Sequence, residues 1–312
     1  MLAPLVVLDG IQSALNPRGH DAAIIAEMAW VLVAGAAAIF VAVMALAAYA
    51  LRARRDRAAR LSSQAFIVGG GIVFPAVTLS ALLVYSLLRA TSLAVAGGGA
   101  LRIDVTGEQW WWRVHYLDEA GRTDIVTANE IRIPVGRPVD LTLRSADVIH
   151  SFWVPALAGK LDMVPGRVNR MRIVAQAPGR YRGQCAEYCG GPHGLMSFFV
   201  VAVSDAEYAA WSARQREPAD PGDPRGRALV EESCAACHTV RGSRAQGTRG
   251  PDLTHVGSRL TIGAGLLPAN ADNLARFIGS SQHVKPGNLM PSFGHLPPGD
   301  LQAVAAWLAA LD

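Results

Sequence analysis

The chain has 312 residues, 51% of them hydrophobic and only 17% charged, and its mean hydropathy of +0.24 lies at the apolar edge for a soluble protein. That length allows two small domains plus membrane segments. The net charge of +4 gives no case for a nucleic-acid partner, because one loop, "LRARRDRAAR", accounts for the excess.

The apolar residues are concentrated near the N-terminus. No charged residue occurs from Met28 to Leu51, nor from Leu61 to Leu88. About 20 apolar residues cross a bilayer core, so the runs predict transmembrane helices over about 24–51 and 63–90 rather than a pair of buried core helices. Arg52, Arg54, Arg55, Arg57 and Arg60 crowd the connection between them. Such clusters stay in the cytoplasm, which places everything after about Ala96 on the outer face, in the periplasm of a Gram-negative bacterium. The opening "MLAPLVVLDG" has no positive start and too short an apolar stretch for a signal peptide; it is the remnant of one or a plain lead-in. This first region covers residues 1–95.

Residues 96–215 change character. From Leu101 to about Val203 short runs of β-branched and aromatic residues are broken by Gly, Pro and Asn, and "IRIPVGRPVDLTLRSADVIHSFWVP" alternates as a half-buried strand does. An all-β barrel or sandwich is expected, followed by a short helix capped by Ser204. "REPADPGDPRG" holds three prolines and two glycines and reads as a linker, residues 216–226. Residues 227–312 show apolar positions at three- and four-residue spacing in three segments. They predict a small helical domain that needs a covalent or metal staple.

All four cysteines fall in two clusters. Cys234-Ala-Ala-Cys237-His238 is the c-type haem attachment pattern, in which two thiols add across the haem vinyl groups and the histidine becomes an axial ligand. A thioredoxin-like redox pair needs a βαβ context, and a zinc site needs more ligands. The second axial ligand is expected from Met290 in "KPGNLMPSF", with His255, His283 and His295 as rivals and a buried core methionine as the bland reading. The region resembles class I cytochromes c. By that resemblance the Pro251 carbonyl in "RGPDLTHVGSR" accepts the hydrogen bond from His238 and fixes its tautomer.

The other cluster is "GQCAEYCGGPHGLM". Cys185, Cys189, His193 and Met196 offer thiolate, imidazole and thioether together, a set that selects copper. Two thiolates four residues apart can bridge a pair of copper ions, which would need another imidazole; His150 ends a strand in the same domain. A periplasmic disulfide is the plain alternative and leaves His193 and Met196 without a purpose.

"VIHSFWVPALAGKLDMVPGRVN" followed by "YRGQCAEYCGGPHGLM" resembles subunit II of haem–copper cytochrome c oxidases. The likeness runs through the hairpin, "GEQWWWRVHY" and the β domain in order, and the added cytochrome c domain is similar to the fused subunits of some bacterial oxidases. The resemblance implies a cupredoxin-like Greek-key barrel with a dinuclear copper centre, CuA. Cys185 and Cys189 would bridge both coppers, His150 and Met196 would complete one ion, and His193 with the main-chain carbonyl of Glu187 the other. The Glu187 carboxylate matches the group that reaches a magnesium ion at the subunit I interface. Trp110 matches the exposed tryptophan through which electrons arrive, although of three adjacent tryptophans one or two are expected to be plain core. The middle position, often Tyr in the family, is Trp111 here. Asp162 matches an acidic position near subunit I, or is a solvated turn carboxylate.

The implied function is an electron wire: a covalently held haem c takes electrons from a cytochrome or the preceding respiratory complex and passes them to CuA, then to subunit I for dioxygen reduction. Partners are subunit I, subunit III and the membrane. The competing reading, a membrane-anchored copper-handling protein with a haem c domain, predicts one labile copper and has no need of Trp110–Trp112 or Glu187. A quinol-oxidase subunit would lack the copper ligands, and a soluble reductase would lack the hairpin.

Overall fold

A computed structural model describes residues 10–52, 63–93 and 101–312. The apolar lead-in up to residue 9 and the loop arginines Arg54, Arg55, Arg57 and Arg60 lie outside the described residues.

The two apolar runs are helices α1 (His20–Arg52) and α2 (Gln64–Ala90), each long and apolar enough to cross a membrane. The first starts four residues earlier than the apolar run suggests, with Asp21 in its first turn where the helix dipole favours an acid. Ser63 caps the second through the Phe66 amide, and a π-helical turn, Gly69–Val73, interrupts it. Glu27, for which the sequence suggests no purpose, bonds Arg89 and accepts from the Tyr85 hydroxyl across the hairpin.

The remainder, with the stretch up to Ala22, forms a second compact unit. Its β part has ten strands: β1 (Leu101–Glu108), β2 (Trp111–Leu117), β3 (Thr123–Ala128), β4 (Glu130–Pro134), β5 (Val139–Ser145), β6 (His150–Trp153), β7 (Leu161–Met163), β8 (Asn169–Ile173), β9 (Gly179–Cys185) and β10 (Ser197–Val203). They make two five-stranded sheets, ordered β3-β2-β1-β5-β8 and β4-β10-β9-β6-β7. The β1–β5 and β4–β10 pairs are parallel, as crossovers between the sheets require, which gives the cupredoxin-like barrel. Alternate positions of β1 and β2 turn inward, so Trp112 is 1% exposed while Trp110 and Trp111 stay half-buried.

An aromatic cluster packs beneath His150. Trp112 packs on Phe198 with centroids 4.8 Å apart and Phe152 on Phe198 at 4.6 Å. The imidazole fits only because residue 107 is glycine: a Cβ there would sit 2.8 Å from its ring carbon.

Helix α3 (Asp205–Arg216) opens with a capping box between Ser204 and Glu207. Then come α4 (Pro224–Ser233), the two-residue strands β11 (Thr261–Ile262) and β12 (Leu267–Pro268), α5 (Ala271–Gly279), α6 (Ser281–Val284) and α7 (Pro298–Ala309). Their apolar faces meet around Val230, Ile278, Val304 and Trp307. The Pro-rich segment between α3 and α4 is laid onto this domain rather than left free. The Trp307 indole donates to Pro221 O at 3.1 Å and the Ala219 amide to Arg241 O at 2.9 Å.

Helix α4 carries the attachment cysteines at its end and is anchored by Glu231, whose carboxylate binds Arg227 at 3.0 Å and Arg244 at 2.8 Å. The hydrogen bond from Arg244, then that from Arg227, hold its pKa down to about 2, against about 4.3 in an unfolded chain. The stabilisation is therefore complete above about 4.3 and is lost as pH falls toward 2. Glu231→Gln is expected to lower the melting temperature of the full chain at neutral pH, and that difference should shrink steadily in melts recorded below about pH 4.

Candidate metal centres

Strand pairing brings the first cluster together. His150 begins β6, and β9, paired with it through Phe152 and Cys185, ends at that cysteine. The loop back to β10 carries Glu187, Cys189 and a one-turn 3-10 helix, His193–Leu195, that presents His193 before Met196. The Cys185 amide donates to Met196 O at 3.0 Å and the Met196 amide to His193 O at 3.1 Å, closing the loop on itself.

The donor atoms converge. Cys185 Sγ lies 3.8 Å from Cys189 Sγ, 3.8 Å from His150 Nδ1 and 3.2 Å from Glu187 O. Cys189 Sγ lies 3.4 Å from His193 Nδ1 and 3.8 Å from Met196 Sδ. Ligands held tetrahedrally about 2.0–2.3 Å from an ion stand roughly 3.3–3.8 Å from one another, so the set fits soft metal ions without rearrangement. The sulfur separation is far beyond a disulfide bond of about 2.05 Å, and both cysteines are free and buried. His150, Cys185 and Cys189 are the one group of three such ligating residues among the described residues.

The electrostatics suit a cation. The Cys185 thiol is held well below its usual range, first by its hydrogen bond with Cys189 and then, against burial, by that with His150. The same bond, with burial, pushes Cys189 far up. Two adjacent thiolates therefore need a metal to coexist. Burial works against a charged His150, yet its hydrogen bonds with Cys185 and Asp147 outweigh it and raise its pKa. Asp147 is a member of the site that the sequence reading missed. Its carboxylate accepts from His150 Nε2 at 2.7 Å and from the Gln109 amide at 2.6 Å, leaving Nδ1 facing the cluster. The Glu187 carboxylate acts on Lys160, which is held chiefly by Asp162. Asp162 in turn accepts from Ser151 Oγ at 2.8 Å and Lys160 Nζ at 2.7 Å.

The second cluster lines a cavity of about 430 Å³, mostly apolar, with Cys234, Cys237, His238, Pro251 and Met290 in its wall. The His238 amide donates to Cys234 O at 3.0 Å, so the cysteine pair continues the turn begun by α4. His238 Nδ1 donates to Pro251 O at 2.7 Å, since a carbonyl can only accept. Burial lowers the His238 pKa despite that bond, and a neutral ring whose Nδ1 is so engaged would offer its other nitrogen to a metal. Gly250 leaves room for the ring, which a Cβ would approach to 2.6 Å. The Met290 loop is held by Asn288 Oδ1 on its amide and by Ser281 and Gln282 on its carbonyl, all at 2.8 Å. Of the rival histidines, His255 is wedged between Asp312 O and Glu217 O, and neither His283 nor His295 lines the cavity. A mostly apolar cavity lined by two thiols, an oriented imidazole and a thioether fits a haem.

The two sites share a wall. Trp110 lines the cavity and its indole donates to Cys189 O at 3.0 Å, beside the Gln109 side chain at 2.8 Å.

Fold and sites together define a chain with two helices fit to cross a membrane, a β barrel holding a soft-metal donor cluster and a helical domain with a haem-type cavity. Residues 101–203 match the family described as cytochrome c oxidase subunit II, periplasmic domain, and residues 224–312 match cytochrome c. The chain is 41% identical over 220 residues to cytochrome c oxidase subunit 2 of Alkalihalophilus pseudofirmus, covering 69% of this chain and 62% of that one. It is 33% identical over 224 residues to the same subunit of Bacillus sp. (strain PS3), covering 67% and 62%. The chain thus spans about 62% of the length of these curated relatives. The periplasmic domain of subunit II from Bradyrhizobium japonicum aligns with 31% identity over 39% of this chain and 97% of that one, with a TM-score of 0.37. Residues 101–203 thus carry the periplasmic domain of the cytochrome c oxidase subunit II family and residues 224–312 a cytochrome c domain. The first domain implies copper and the second haem.

Because Asp147 fixes the His150 ring, Asp147→Ala is expected to weaken copper retention by about 10–100-fold, measured by competition with a copper chelator at constant haem content.

Proposed function

We propose that the chain is the electron-transfer subunit of a haem–copper terminal oxidase, in which a covalently bound haem c and a dinuclear CuA centre supply one-electron chemistry on the way to subunit I, where dioxygen is reduced. The observation that carries this reading is the convergence of six donor positions around the two buried thiols, bonded through Cys189 O to Trp110, which lines the haem-type cavity.

Cys234 and Cys237 would hold the haem by thioether bonds, with His238 and Met290 as axial ligands. Pro251 fixes the His238 tautomer through its carbonyl, and the thioether of Met290 favours a higher potential than a second imidazole would. Cys185 and Cys189 would bridge two coppers. His150 with Met196, and His193 with the Glu187 carbonyl, would complete them. The burial of these donors and the closed hydrogen bonding of the loop keep them in place when charge changes, so little has to rearrange. Trp110 lies between the two sites and would conduct between them.

The Glu187 carboxylate, half-buried at the surface of the copper loop, would reach magnesium where subunit I docks. Subunit III, a donor cytochrome or preceding respiratory complex, and location in the bacterial inner membrane complete the reading. A copper-handling role is disfavoured because His150, Cys185, Cys189 and Met196 are buried and the donors gather around two thiols, which suits retention rather than release.

The test is the copper-to-iron ratio of the full chain, matured with haem and loaded with copper. Two tightly held coppers per haem iron are expected, and Cys189→Ser should abolish the pair while leaving the haem in place. One loosely held copper would move the reading to copper handling; haem without copper would point to a disulfide.

A further inference from the structure

Lys285 follows α6 in the helical domain and is 3% exposed. Burying an amino group is costly unless its hydrogens are satisfied, and burial pushes this one down to about 7. Its Nζ donates to two carbonyls, one in each domain: Trp110 O of the barrel at 2.7 Å and Gly263 O of its own domain at 3.0 Å. The indole of the same Trp110 donates to Cys189 O. One residue is therefore gripped by its carbonyl from the haem side and by its indole from the copper loop.

Other bonds cross the same seam. The Ser197 amide donates to Ala264 O at 3.0 Å, the Leu260 amide to Glu130 Oε2 at 2.8 Å, and Arg113 to Thr248 O at 2.8 Å. The backbones come so close that a Cβ on Gly265 would stand 2.8 Å from Ser197 Oγ. These bonds describe a domain locked in one pose, not one that swings on a tether.

Resting on the function proposed above, we infer that Lys285 is a positioning residue for electron transfer between the two sites: its buried amino group clasps Trp110 and locks the cytochrome domain against the copper loop, so that transfer proceeds in a fixed docked pose. One electron leaves the ferrous haem and one enters the copper pair, with no proton moved and no bond made or broken.

The test uses the full chain with haem and copper, as wild type, Lys285→Met and Lys285→Arg. Two readouts are taken: haem reoxidation after flash photoreduction, with and without glycerol, and hydrogen exchange at the Ser197 and Leu260 amides. In the wild type the rate should be independent of viscosity and both amides protected. Lys285→Met should slow transfer by about tenfold or more, make it viscosity-dependent and speed exchange at both amides, while haem and copper spectra stay unchanged. Lys285→Arg, which keeps two-carbonyl donation, should recover part of the protection. A wild-type rate that falls with viscosity, or a Lys285→Met protein with unchanged rate and exchange, overturns the inference and leaves the function standing. A wild-type haem that never reduces the copper sinks the function and the inference with it. Should Lys285→Met fail to take up haem, Lys285→Gln, with a shorter amide donor, gives the same comparison.

Discussion

The carbonyl oxygen of Cys189 accepts two hydrogen bonds, from the Gln109 side chain and from the Trp110 indole. Through them the loop that holds the thiols is fastened to the end of β1 and the start of β2. The same stretch of chain is steadied from below, where Asp147 takes the Gln109 amide with one oxygen and His150 with the other. A soft-metal cluster, its orienting carboxylate and the wall of the haem cavity are therefore parts of one hydrogen-bonded unit. Loss of the Asp147 carboxylate would leave the fully buried His150 ring without its partner, at a penalty of about 1–3 kcal/mol.

The barrel works as a scaffold because its core is rigid directly beneath the site. Trp112, Phe152 and Phe198 stack under His150, and the glycine at 107 gives the imidazole its one available space. Close packing of this kind tolerates little movement. An electron-transfer centre that must look nearly the same in both oxidation states gains from that stiffness. The helical domain reaches the same end differently, with Gly250 and Pro251 shaping the pocket around one ring.

Much of this was legible in the residue order. Membrane helices announce themselves by twenty uncharged residues, and Cys234-Ala-Ala-Cys237-His238 by fixed spacing. Cys185, Cys189, His193 and Met196 are near neighbours in sequence, so their grouping needs no knowledge of the fold; His150, thirty-five positions upstream of Cys185, is a candidate imidazole in the sequence that the family likeness ties to the cluster. What stayed hidden was whatever depends on pairing distant strands or docking two domains. Asp147 is hidden for another reason: it stands only three positions before His150, yet nothing in the residue order says that its carboxylate turns back onto that ring. Lys285 reads as a solvated charge beside Pro and Gly, because its partner Trp110 lies 175 positions away. The Pro-rich connection misled for the same reason. Its composition describes a free linker, and only the folded domain supplies Trp307 and Arg241 to hold it.

Both polar groups of Trp110 are in use, the indole toward the copper loop and the carbonyl toward Lys285. That shared residue has a consequence for how the protein is matured. Coupling free energies are reciprocal. Whatever orders the Cys189 loop also sets the indole and so favours seating of the cytochrome domain; the seated domain in turn favours the ordered loop. Filling either site should then make the other easier to fill, and assembly of the two centres becomes cooperative across a single side chain.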